Sequence, residues 1–95
     1  MTEIEMTKAI LDHYGVSAQV VKAREELLEL RDELGYWLCW GDEVLRDVVD
    51  EIADVENMLN SLKLAYSLFE QVDSIRVAKL KRTLERIDKG KEGDK

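Results

Sequence analysis

No proline interrupts the 95 residues of this chain, and apolar residues recur along it at intervals of three and four. That periodicity places one apolar stripe on an α-helix, and no stretch alternates as a half-buried strand does. The chain is therefore expected to be all-helical. Glycine supplies most of the punctuation. A first helix is expected over about residues 3–13, ending before Gly15. A second runs from about Ser17, read as its N-cap, to about Trp37, with Gly35 and Gly41 bracketing a turn. Asp42 is expected to cap a third helix reaching about Glu70. A fourth starts near Asp73 or Ser74 and carries Val77, Leu80, Leu84 and Ile87 at helical spacing. Short connections between four helices imply an antiparallel bundle within one domain, residues 1–88, followed by a polar tail, 89–95.

A chain of this length buries a smaller share of its surface than a typical domain. Completion of the core by a second copy, as a homodimer or homotetramer, is the natural expectation. No apolar run approaches the ~20 residues that span a bilayer. The start MTEIEMTKAI lacks the basic flank and apolar segment of a secretory signal. A single cysteine fits a reducing compartment, so the cytoplasm is expected, without membrane association. Residues 1–75 hold 17 acids and 6 bases, a net of −11, whereas residues 76–95 hold 4 acids and 8 bases, a net of +4. The acidic body disfavours a nucleic-acid polymer, whose binding requires phosphate neutralisation. It still suits a small phosphorylated ligand bridged by divalent cations.

Two acidic pairs fall on helical segments, Glu26/Glu29 within REELLEL and Glu51/Asp54 within DEIADV. Residues three apart share one side of a helix, so each pair is a two-pronged oxygen ligand. Two such pairs on facing helices suit a hard cation such as Mg²⁺, which prefers oxygen donors and keeps positions open for phosphate. In a chain with 21 acids the spacing also arises by chance, as at Glu29/Asp32, Asp47/Asp50 and Glu70/Asp73. A wheel at ~100° per residue separates the cases in part. Glu51 lies at the border of the stripe formed by Val44, Val48, Ile52, Val55, Leu59, Leu62 and Tyr66, where an uncompensated acid is costly. Glu29 lies well away from the stripe of its own helix.

With these residues in place the sequence resembles the MazG-like nucleotide pyrophosphohydrolases of the all-α NTP pyrophosphatase superfamily, and most closely the short phage-type members. The hallmark is ExxE followed after a spacer by ExxD, here Glu26-Leu-Leu-Glu29 and Glu51-Ile-Ala-Asp54 with 21 residues between them. Tyr14-Gly15, Gln19, Glu25-Glu26-Leu27, Glu29-Leu30, EIADVENMLNSLK at 51–63 and KLKRTLERI at 79–87 carry the likeness over most of the chain. The resemblance implies hydrolysis of a ribo- or deoxyribonucleoside triphosphate to the monophosphate and pyrophosphate. It assigns Glu26, Glu29, Glu51 and Asp54 to Mg²⁺, with Mn²⁺ as a substitute, and one carboxylate to the attacking water.

Around these acids other residues have a ligand reading and a plainer one. Gln19, two turns before Glu26, suits a base edge or a phosphate, or else faces solvent; the resemblance favours the ligand. Lys22 suits phosphate but is better placed to pair with Glu26 at i+4. Trp37 and Trp40 are candidates for stacking on a base, against the commoner role of aromatics in cores and interfaces. Asn57, one turn beyond Asp54, suits a phosphate or a bridging water. Lys79 and Arg82, with Arg76 and Arg86, form a basic stripe that either neutralises a triphosphate or pairs with the acidic body. Cys39 reads as a small buried hydrophobe and His13 as structural. The competing function is a non-catalytic helical interaction or phage regulatory module, which needs only the amphipathic stripes and leaves Glu51 unaccounted for. A small helical mutase would need arginines inside the bundle, and the first 75 residues have only Arg24, Arg31 and Arg46.

Overall fold

The computed structural model describes residues 1–90, and among them every regular element is helical. Helix α1, Glu3–Tyr14, starts at a reciprocal cap. The Thr2 hydroxyl accepts from the Glu5 amide at 3.1 Å, and Glu5 Oε1 accepts from the Thr2 amide at 2.7 Å. This T-x-x-E arrangement satisfies two amides that the first turn leaves without partners. Gly15, at φ 89°, closes α1 through its amide to Leu11 O (2.8 Å) and also stands at the head of α2. That left-handed backbone is open to glycine at little cost. Ser17 lies inside α2 and is not its cap.

Helix α2 spans Val16–Trp40, longer than the sequence suggests. It continues through Gly35 despite a helical entropy cost of about 1 kcal/mol, and residues 34–40 are all exposed. Gly41, at φ 72°, ends it instead. A 3₁₀ turn, Gly41–Val44, reverses the chain, and α3 follows over Leu45–Ala65. The third helix therefore stops before Glu70. The Leu68 amide reaches Lys63 O at 2.8 Å and the Ser67 amide reaches Leu64 O at 3.4 Å, with Ser67 at φ 56° between them. These two bonds make a Schellman turn. It hid from the sequence because a serine holds the left-handed position that glycine usually fills. Helix α4, Phe69–Asp88, begins at once.

Helices α2 and α3 form an antiparallel hairpin, and α1 packs against both. Val48 is wholly buried, with Ala23 and Val55 beside it at the seam. Helix α4 has no buried residue and meets α3 near the Schellman turn, where the Lys63 ammonium lies 5.2 Å from the Phe69 ring centroid and Phe69 lines a small cavity with Glu3, Ile4 and Thr7 of α1. The expected bundle is thus realised by three helices, with the fourth standing off from them. The Cα radius of gyration, 16.5 Å, exceeds the roughly 12 Å of a compact chain of this length. No helix among the described residues is long and apolar enough to cross a membrane. The polar tail expected from residue 89 lies, from 91 onward, outside the described residues.

Candidate metal centre at the α2–α3 seam

Glu26 and Glu51 enter the seam because each sits about 60° from the buried position of its own helix, Ala23 and Val48 respectively, and in the same rotational sense. In an antiparallel hairpin, equal offsets fall on the same side. Asp54 follows Glu51 by three residues and joins them. One carboxylate oxygen from each of Glu26, Glu51 and Asp54 lies within 4.8 Å of the others. Glu26 is 6% exposed, Glu51 is half-buried and Asp54 is open to solvent. The three acids thus form a cup with a closed floor and an open lip.

Lys22 is the cation at this cup. Its Nζ lies 3.1 Å from Glu26 Oε2 and 4.0 Å from Glu25 Oε1. The i+4 pair read from the sequence therefore forms, and the hydrogen bond and charge of Glu26 hold the Lys22 ammonium above its ordinary 10.5. One oxygen of each deep acid is left over. Glu26 Oε1 and Glu51 Oε1 are buried and have no hydrogen-bond partner. A buried carboxylate oxygen without a donor is costly, and a proton or a bound cation resolves it. Glu51 shows the strain directly. Loss of water pushes its carboxyl from the ordinary 4.5 up to about 7, and the close approach of the Glu26 carboxyl and the charges of Glu29, Glu26 and Asp54 push the same way. Oxygen-only donors, two of them unpartnered, fit a hard divalent cation.

Glu29 does not join the three. It is exposed on α2 and acts on Glu51 and Lys22 only through its charge. The four-carboxylate set expected from the motif is a set of three with a fourth acid outside it. Gln19 faces neither solvent nor the cup. It is 5% exposed, and its Oε1 accepts from Ser61 Oγ at 3.2 Å. Met6 and Ile10 of α1, Gln19, and Asn57, Met58 and Ser61 of α3 line a cavity of about 280 Å³ next to the cup. Asn57 therefore stands at its wall, one turn beyond Asp54. Ser61 escaped the sequence reading, although its place seven residues after Asp54 puts it on that same side.

The aromatic candidates lie elsewhere. Trp37 Nε1 donates to Asp42 Oδ1 at 3.0 Å, and Trp40 packs on Tyr36 with ring centroids 5.4 Å apart. Because α2 continues through Gly35, Trp37 stands about 16 Å along the helix from Glu26. That continuation also leaves Cys39 exposed rather than buried. Lys79 and Arg82 are exposed on α4 and make no ion pair with the acids among the described residues. Arg76 meets Asp73 of its own helix at 3.5 Å. His13 packs edge-on against Tyr14, with ring centroids 4.6 Å apart. Compared with known proteins, the chain matches no family model, no curated protein and no solved structure.

Proposed function

We propose that the chain hydrolyses a ribo- or deoxyribonucleoside triphosphate to the monophosphate and pyrophosphate, with Mg²⁺ as its cofactor and Mn²⁺ as a substitute. The observation that carries this reading is the pair of buried, unpartnered oxygens on Glu26 and Glu51 beside Asp54. Glu26, Glu51 and Asp54 would hold the cation, with Glu29 adding negative charge at the rim. When bound, the cation supplies Lewis-acid polarisation of phosphate oxygens and lowers the pKa of a coordinated water. Lys22 pairs with Glu26 Oε2 and so holds that carboxylate in place at the cup. Asn57 offers an amide one turn above Asp54, and Gln19, fixed by Ser61, presents the rest of its amide at the neighbouring cavity. This reading goes with the MazG-like resemblance, a cytoplasmic setting, a phage or prophage context and self-association as a dimer or tetramer.

A non-catalytic helical interaction module is the second reading. Many exposed apolar residues on α2, α3 and α4 favour it. It gives no account of two acids desolvated side by side. The deciding experiment is pyrophosphate release from a panel of ribo- and deoxyribonucleoside triphosphates, with and without Mg²⁺, beside Glu51→Gln. Metal-dependent release that disappears in the variant supports the enzyme. A folded, metal-loaded wild type that releases no pyrophosphate from any nucleotide overturns it in favour of the interaction module.

A further inference from the structure

The cavity beside the acid cup is lined by polar groups whose hydrogens are already committed. Gln19 Oε1 accepts from Ser61 Oγ at 3.2 Å, and the two residues are 5% and 2% exposed. That bond fixes the amide one way round. Gln19 Nε2 makes no hydrogen bond among the described residues, yet it is not sealed from solvent, so it opens on the cavity. On α1 the Thr7 hydroxyl gives its hydrogen to Glu3 O at 2.8 Å and keeps only lone pairs for a guest. The Glu3 carboxylate, on the same wall, also only accepts. Asn57 and Asn60 hold no such bond and can turn either end of their amides inward, so they do not discriminate. Met6, Ile10 and Met58 supply apolar surface against which a flat ring can lie. A fixed donor on α2 and fixed acceptors on α1 thus share a space of about 280 Å³, at the small end for a ligand site.

Position ties this space to the cup. Gln19 lies seven residues before Glu26 on α2, and Ser61 seven after Asp54 on α3, about 10 Å along each helix. The two helices are antiparallel, so both steps lead the same way. A nucleotide with its phosphates at the cup therefore carries its base to the cavity, with the sugar between. We propose that the cavity selects a base whose edge shows a carbonyl beside a ring N–H over its amino counterpart, and that Ser61 is the positioning residue for that choice. Hypoxanthine, guanine, uracil and thymine belong to the favoured class, adenine and cytosine to the other. The carbonyl accepts from Gln19 Nε2, and the ring N–H donates to Thr7 Oγ1 or to Glu3. An amino base shows donor and acceptor exchanged at the same two places, so its amino group meets Gln19 Nε2 donor against donor. A site built to hydrogen-bond one group rejects the analogue that lacks it, because the site's own polar atoms are then left unpaired. Ser61 acts through Gln19. Without its hydroxyl the amide is free to turn over and offer Oε1 to the base instead.

The inference rests on the nucleotide reading given above and names the bases which that reading leaves open. Its test is calorimetric titration, with Mg²⁺ present, of the α,β-methylene analogues of inosine, adenosine, uridine and cytidine triphosphates, which resist cleavage between the first two phosphates. The members of each pair, inosine with adenosine and uridine with cytidine, differ only at the edge in question. The wild type should favour the inosine and uridine compounds by about tenfold or more. Ser61→Ala should cut that ratio to about threefold or less. Gln19→Glu keeps an acceptor for Ser61 and shows the base a second one, so it should favour the adenosine and cytidine compounds. Should Ser61→Ala fail to fold, the wild-type ratios and Gln19→Glu decide. Equal affinities within both pairs, or a wild-type preference for the amino bases, overturn the inference and leave the nucleotide reading standing. A Ser61→Ala protein that binds all four analogues more weakly in the wild-type ratios overturns the role given to Ser61. Failure of the folded wild type to bind any of the four overturns both.

Discussion

Ser61 Oγ donates to Gln19 Oε1 across 3.2 Å, and both side chains are buried although 42 residues separate them. The bond ties α2 to α3 at the wall of the cavity, one helical turn beyond Asn57. Ser61→Ala removes the donor and leaves a buried acceptor without a partner. The expected loss is about 1–2 kcal/mol in urea unfolding at fixed protein concentration. Binding of Mg²⁺ should be unchanged, because the cup does not use this bond.

The three converging acids and the outlying fourth separate the roles of two residues that look alike in the motif. Glu26→Gln removes a buried ligand oxygen and should weaken Mg²⁺ binding at least tenfold in calorimetric titration. Glu29→Gln removes only a nearby charge and should weaken it about threefold or less. At a free cation concentration about 100 times Kd, a ligand held only by the native state adds roughly 2.7 kcal/mol of stability. The wild-type melting temperature should therefore rise with Mg²⁺, and a Glu26→Gln variant that binds tenfold more weakly should gain only about half as much, roughly 1.4 kcal/mol. Equal losses in the two variants would show that Glu29 is a ligand after all.

Glu51 gives the fold a dependence on pH. Its carboxyl titrates at about 7 in the folded chain against an ordinary 4.5. Between those values the folded state holds more protons than the unfolded state, so stability declines as pH rises through the window. Melting in the presence of a chelator should show that decline, and Glu51→Gln should remove it. Protons and Mg²⁺ compete for the same oxygens. The rise in melting temperature on adding Mg²⁺ should thus be larger at about pH 8 than at about pH 6.

Gly35 lies inside α2, and a Cβ built on it meets nothing within 4 Å. Gly35→Ala should stabilise the chain by about 0.5–1 kcal/mol through reduced freedom of the unfolded state. Chemical unfolding measures it, and a loss of stability would mean that the glycine serves an approach by another chain.

Ser67 presents the reverse case. It holds φ 56°, a conformation that costs an L-residue about 1 kcal/mol and glycine little. Ser67→Gly should therefore gain about 0.5 kcal/mol in the same measurement, part of the relief being offset by the added freedom of the unfolded chain.

Helical periodicity made the helices legible, because the apolar stripes on α2 and α3 are what hold the hairpin together. Glu51 was legible for the same reason, since an acid bordering a stripe must meet a neighbour. The ends were less so. Gly35 carries the strongest breaker signal available without proline, yet its cost of about 1 kcal/mol does not end a helix of 25 residues. The turn at Tyr66–Leu68 carries no breaker at all, since its left-handed residue is a serine. Glu29 belongs to the same motif as Glu26, but the wheel already set it well away from the stripe of α2, and it lies outside the three converging acids. Ser61 carries no signal in the sequence beyond its place on the wheel, since a small polar residue on a helix ordinarily faces solvent.

Helix α4 is a lever about 30 Å long whose fulcrum is the Schellman turn at Ser67. A swing of ten degrees there carries its far end through about 5 Å, roughly one helical turn. Its half-buried residues, Phe69 and Val72, gather at its start, so little in the chain resists such a swing at its far end. The reach of Lys79 and Arg82 is accordingly set by whatever clamps the arm, so substitutions that loosen that clamp should disturb those two cations before they disturb the acids.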